Sequence, residues 1–159
     1  MRSLVVATTN RGKVRELALL LGPSWQLLTA LDFPHLPEVV EDRDTFRGNA
    51  ALKAHAFARA LGRWTLADDS GLCVDVLGGA PGVFSARWSG RHGDDAANLD
   101  LLLAQLADVP VRHRRAHFEC AAVLALPDGT ERVAEGRLYG LLTSKPLGEN
   151  GFGYDPIFM

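Results

Sequence analysis

Thr8-Thr9-Asn10-Arg11-Gly12-Lys13 gathers two hydroxyls, an amide, a guanidinium, a glycine and an ammonium directly after the apolar run Leu4 to Ala7. Where a helix starts, the first backbone N–H groups are unpaired and form the positive end of the dipole. A turn of this kind is a common way to hold phosphate, and Gly12 lets the backbone come close to a ligand. It is not a Walker A loop, because the first glycine and the final Lys-Ser/Thr are missing. The plainer reading is a capped turn with Lys13 in solvent. Asp68-Asp69-Ser70-Gly71 follows a second apolar run. Two adjacent carboxylates at the carboxyl end of a strand can bind Mg2+ or activate water, and they can equally close an Asx turn. Glu38, Glu41, Asp42 and Asp44 form an acidic loop, either a solvated face or the source of one more metal ligand. Gly148 to Pro156 is a glycine-rich loop carrying Phe152, Gly153, Tyr154 and Asp155. An exposed aromatic there could stack on a base, and Asp155 could accept from a base edge or hold the loop. The alternative is aromatic core plus a turn.

The elements that carry these groups follow from patterning. Leu4 to Ala7 reads as a buried strand. Asn10 can cap a helix with an apolar stripe at Val14, Leu17, Ala18 and Leu21, which Gly22-Pro23 stops. Trp25 to Thr29 reads as a second strand, so strand, helix and strand suggest an α/β fold with a parallel pair. Residues 31 to 44 read as loop, and Thr45 to Leu61 as a strong helix ended by Gly62. At about 100° per residue, Lys53 falls inside the apolar arc of Phe46, Ala50, Phe57 and Ala60, with Asn49 at its edge. A lysine there either threads along the core to water or faces a cleft where its ammonium meets an anion. Trp64 to Ala67 and Leu72 to Leu77 read as strands on either side of Asp68 to Gly71. Asp94 or Asp95 can cap a leucine-rich helix running to about Ala107. Ala116 to Leu126 and Glu131 to Tyr139 flank Pro127-Asp128-Gly129-Thr130, a hairpin signal.

With 159 residues, 47% apolar and 23% charged, the chain suits one domain, residues 1–159, with a real core. A net charge of −2 and a pI near 6.2 offer nothing global to nucleic acid or an anionic membrane. The basic cluster Arg112, His113, Arg114 and Arg115 reads as a solvated face. Cys73 and Cys120 lie in apolar runs and read as small buried hydrophobes, and no spacing suggests zinc. The N-terminus turns polar too early for a signal peptide and no run of 18 apolar residues exists, so the expectation is a cytoplasmic protein without a membrane span.

The order and spacing of the stretches resemble the inosine/xanthosine triphosphate pyrophosphatase family. The matching segments are Thr8 to Lys13, Thr45-Phe46-Arg47-Gly48-Asn49-Ala50 with Lys53-Ala54, and Ala67-Asp68-Asp69-Ser70-Gly71-Leu72. Then come Gly79-Ala80-Pro81-Gly82-Val83 with Ser85-Ala86-Arg87, and Gly151-Phe152-Gly153-Tyr154-Asp155-Pro156-Ile157-Phe158. The resemblance implies an α/β fold with an elongated mixed central sheet, helices on its flanks, and two lobes around a substrate cleft. It implies Mg2+-dependent hydrolysis of non-canonical purine nucleoside triphosphates such as dITP, ITP and XTP to monophosphate and pyrophosphate, usually by a homodimer. By motif, Thr8, Thr9, Asn10, Arg11, Gly12, Lys13 and Lys53 should hold the triphosphate, with Asn49 beside them. Asp69 should be the general base, with Lys53 its catalytic partner. Glu41 and Asp69 should bind the metal, with Asp68 adjacent, and Ser70 should contact substrate. Phe152, Gly153, Tyr154 and Asp155 should line the base and sugar pocket.

The family pattern continues for a few dozen residues past the position of Met159, with a further lysine and a Ser-His-Arg-Gly segment that contact the base. On that pattern the chain is short at its C-terminus, and base discrimination is the property affected. The competing expectation is a non-catalytic purine nucleotide-binding domain, which metal-dependent pyrophosphate release would separate from the enzyme.

Overall fold

In a computed structural model of the chain, residues 1–148 and 151–159 are described. The strands are β1 (Arg2–Val6), β2 (Trp25–Thr29), β3 (Thr65–Val74), β4 (Arg115–Ala125) and β5 (Glu131–Leu141). The α-helices are α1 (Arg11–Leu21), α2 (Phe46–Leu61) and α3 (Asp95–Gln105). The strands form one sheet in the order β2-β1-β3-β4-β5, giving the mixed α/β architecture. Backbone contacts divide the chain into two units. One comprises Met1–Asp69 and Ala121–Glu135, the other Ser70–Cys120 and Gly136–Met159.

In the first unit, β1 pairs in parallel with β2, Leu4 opposite Leu27, and with β3, Val6 opposite Leu66. The chain steps from β1 through α1 to one side, then from β2 through α2 past β1 to the other. Parallel crossovers are almost always right-handed, so the two helices belong on opposite faces of the sheet. Asn10 caps α1 as its sequence suggests, its side chain accepting from the N–H groups of Gly12 and Lys13. Thr45 caps α2, and Gly62, in the left-handed region at φ 63°, ends it. Ala50, Ala54 and Ala58 recur every four residues and are fully buried. With Ala7, Ala67, Val123 and Ala125 they make a core of small side chains, which lets α2 lie close on the sheet.

In the second unit, Leu72, Val74, Leu102, Leu106, Ala116, Leu142, Tyr154 and Ile157 form a bulkier core. Asp94 caps α3. Arg114 is buried, and its guanidinium donates to the carbonyls of Leu106, Val109 and Thr143 at 2.8–3.1 Å. The end of α3 is the negative end of its dipole, which favours a cation near the Leu106 and Val109 carbonyls. Arg114 therefore leaves the solvated basic face that its neighbours suggest. Both cysteines are free, Cys73 buried and Cys120 partly so. Among the described residues no helix is long and apolar enough to cross a membrane.

The largest departure from the sequence reading is β3. Asp68 to Gly71 is not a loop between two strands but the middle of one ten-residue strand. Asp, Ser and Gly are weak strand formers, yet here β3 is held between β1 and β4, and sheet context overrides propensity.

Candidate functional site

β1 ends at Val6, opposite Leu66, while β3 continues. Asp68 and Asp69 thus extend past the carboxyl end of β1, level with the turn that opens α1. This is where the chain order reverses in the sheet, the position at which open α/β sheets gather ligands.

Successive side chains of a strand point to opposite faces. Ala67 packs with the alanines of α2, and Asp69, two residues on, receives a hydrogen bond from Asn49 Nδ2 of α2 at 3.1 Å. Asp68 meets Lys13 of α1, with Nζ to Oδ2 at 2.9 Å. The two carboxylates are adjacent in sequence but do not form a pair, contrary to the side-by-side arrangement the dipeptide suggests.

The carboxylate that does act on Asp69 is Glu41. Burial pushes the Asp69 carboxyl up to about 6, the Glu41 charge adds to this, and Asn49, Lys53 and Lys13 oppose it. Lys53 joins these groups. Its ammonium lies 2.6 Å from Glu41 Oε1 and donates to the Asp68 carbonyl at 2.6 Å. Of the two sequence readings of Lys53, the paired one describes it, since its side chain is 17% exposed and ends on a carboxylate.

Asn49 does more than its place on the apolar arc suggests. It is buried, accepts from the Arg43 N–H at 2.9 Å and donates to the Arg43 carbonyl at 3.3 Å as well as to Asp69. It thereby fastens the acidic loop to the helix. Gly48 keeps that approach open, because a Cβ there would lie 2.8 Å from Thr45 Oγ1 and 3.0 Å from Arg43 Cβ. Arg43 is the participant the sequence does not flag. It acts through its backbone, and a backbone bond leaves no mark on residue type.

Residues 4–159 match the Ham1 family. The chain belongs to that family. It is 63% identical to a dITP/XTP pyrophosphatase of Streptomyces avermitilis, over 99% of this chain and 80% of the relative. It is 49% identical to a Mycobacterium abscessus nucleoside-triphosphatase / dITP/XTP pyrophosphatase of known structure, with a TM-score of 0.82 over 98% of this chain and 82% of that one. A HAM1 protein from Coxiella burnetii superposes with a TM-score of 0.88 at 35% identity, over 99% and 81% of the two chains.

The remaining Ham1 motif residues fall in two places. In the first unit, Thr8 Oγ1 accepts from the Asn10 N–H at 3.0 Å, while Thr9 and Arg11 are exposed. In the second, Ser70 is exposed on β3. Of the aromatics in the C-terminal loop, only Phe152 is at the surface, 45% exposed. Tyr154 is 5% exposed, sits in the core, and donates to the Ser85 carbonyl at 2.8 Å. Its ring therefore provides no open stacking face. Asp155 Oδ2 accepts from the Phe152 N–H at 3.1 Å, and the Gly153 N–H donates to Asp95 at 3.3 Å, so these groups hold the loop. Glu149 and Asn150 of the same loop lie outside the described residues.

Proposed function

We propose that this Ham1 chain hydrolyses non-canonical purine nucleoside triphosphates, dITP/ITP and XTP/dXTP, to the monophosphate and pyrophosphate, sanitising the nucleotide pool. The observation that carries the chemistry is the Asp69 carboxyl, buried beside Glu41 and held at about 6. An acid with that affinity is ionised at neutral pH and still basic enough to accept a proton from water. The names of the relatives supply the substrate class.

Glu41 and Asp69 also fit a divalent cation, and Mg2+ is the ion proposed. Both offer hard oxygen donors, and Glu41 raises the proton affinity of Asp69, the mark of a spot short of positive charge. Such an ion would supply charge neutralisation at the phosphate oxygens. Before substrate arrives, Asp68 is paired with Lys13. The residues of the chain do the rest. Lys13 and Lys53 lie where a triphosphate anion can draw them from Asp68 and Glu41. Backbone donors at the start of α1 would add to this, with phosphate competing against the Asn10 side chain for the N–H groups of Gly12 and Lys13. Asp69 takes the proton of a water as its oxygen bonds to the α-phosphorus. The α–β phosphoanhydride bond breaks, and its electron pair leaves on pyrophosphate, whose charge Lys13 and Lys53 balance. Phe152 is the residue proposed to stack on the base. A homodimer acting on the cytoplasmic pool completes the proposal, and sedimentation would read its oligomeric state.

The test is pyrophosphate release from dITP, XTP, dGTP and dATP, each with and without Mg2+. Release from dITP and XTP, dependent on Mg2+ and weak with dATP, is expected. Tight binding of dITP without any release would overturn catalysis in favour of a nucleotide-binding domain.

A further inference from the structure

Within the second unit, Cys73 of β3 and His117 and Glu119 of β4 bring a thiol sulfur, a ring nitrogen and a carboxylate oxygen within 4.8 Å of one another. The geometry points to a second metal site here, for zinc or a similar borderline divalent ion, built on neighbouring strands of the sheet. His117 and Glu119 are two residues apart on one strand and therefore project to the same face. Cys73 meets them from the next strand in the sheet. The ligand set is mixed sulfur, nitrogen and oxygen, which suits zinc and is foreign to magnesium.

The groups around the cluster orient it. Glu119 turns Oε2 toward His117 Nε2 at 3.3 Å, while its other oxygen accepts from Arg137 at 3.3 Å. The guanidinium thus fixes the carboxylate from outside and leaves one oxygen for the ion, the role that outer partners play at metal sites. Tyr139 packs on the His117 ring at 5.2 Å between centroids and steadies its plane. His117 and Glu119 are 18% and 23% exposed, enough for an ion to enter, while Cys73 is buried. Tetrahedral zinc places its ligand atoms about 3.5 Å apart; His117 Nε2 and Glu119 Oε2 are already 3.3 Å apart, and the remaining separations, none above 4.8 Å, close by small side-chain rotations. Binding would replace the thiol proton with the ion. Three protein ligands leave a fourth position for water, so the ion is exchangeable.

Cobalt titration of the full chain tests this. Co2+ bound by a thiolate gives a charge-transfer band in the near ultraviolet that carboxylates at Glu41 and Asp69 cannot produce. We expect the band at one equivalent, its loss when Zn2+ is added, and its absence in Cys73→Ser. His117→Ala and Glu119→Gln should each weaken Zn2+ binding, measured against a competing chelator, on the order of 100-fold. They also serve if Cys73→Ser fails to fold. Cys120→Ser should keep the band, since Cys120 faces the other side of β4. No band in the wild-type protein, or a band lost in Cys120→Ser and kept in Cys73→Ser, would overturn the site.

Discussion

Asp69 is an acid kept basic by its surroundings, and that has a measurable consequence for stability. Its carboxyl titrates near 6 in the folded chain against an ordinary 3.8. Because the folded state holds the proton more tightly, the ion-free fold is penalised as pH rises. The penalty is absent below 3.8, grows between 3.8 and 6, and is complete above 6, where it amounts to about 3 kcal/mol. Asp69→Asn should therefore abolish turnover yet melt higher than wild type at pH 7.5 without divalent ions, the gap closing by pH 4. Mg2+ should raise the melting temperature of wild type more than that of the variant. A variant that melts lower at every pH would contradict the assigned strain. Lys53→Met leaves Glu41 without the ammonium 2.6 Å away. We expect kcat/KM to fall about 100-fold or more, and Lys53→Arg to restore little, because a planar fork cannot replace a point charge on both oxygen partners.

Helix α2 is the element that assembles the site, and its small residues make that possible. Three alanines set how close it lies to the sheet, and that distance lets Asn49 reach Asp69 and Lys53 reach the Asp68 carbonyl. Ala54→Leu should overpack this layer and lower stability by about 1–3 kcal/mol in denaturant unfolding. Gly48→Ala sets two effects against each other. Alanine in a helix gains about 0.5–1 kcal/mol over glycine. The added methyl, however, would press on Thr45 Oγ1, the cap, whose loss costs about 1 kcal/mol. It would also push against Arg43 and so shift the Glu41 loop. No gain in melting temperature and a raised KM are expected. A clear stabilisation with normal kinetics would show that the loop yields freely.

The charge of the entire chain, −2, offers no general field for polyanions, so its phosphate chemistry rests on local donors. The one basic run is weaker than it looks in sequence, because Arg114 turns inward to three carbonyls. Fluorescence anisotropy should find no salt-dependent binding of single-stranded oligonucleotides at physiological ionic strength. Arg114→Met should instead lower thermal stability, since it takes a charged donor from each of those carbonyls.

Local chemistry was legible in the residues themselves. Asn10, Thr45 and Asp94 are caps, Gly22 and Gly62 are stops, and each acts within four residues of its place, so the helices could be read directly. The motif order likewise pointed to the Ham1 relatives, and the position of Lys53 on its helix already required an anionic partner or a path to water. What could not be read was pairing across distance. Asp68 and Asp69 look like a couple until strand geometry sends them to opposite faces and gives Asp69 to Glu41. Tyr154 looks like a base platform until the core of its unit takes it in. Cys73, His117 and Glu119 have no spacing that suggests a metal, because the ligands come from different strands. A sequence carries spacing along one chain, and these contacts depend on which strands lie side by side and which face each residue takes.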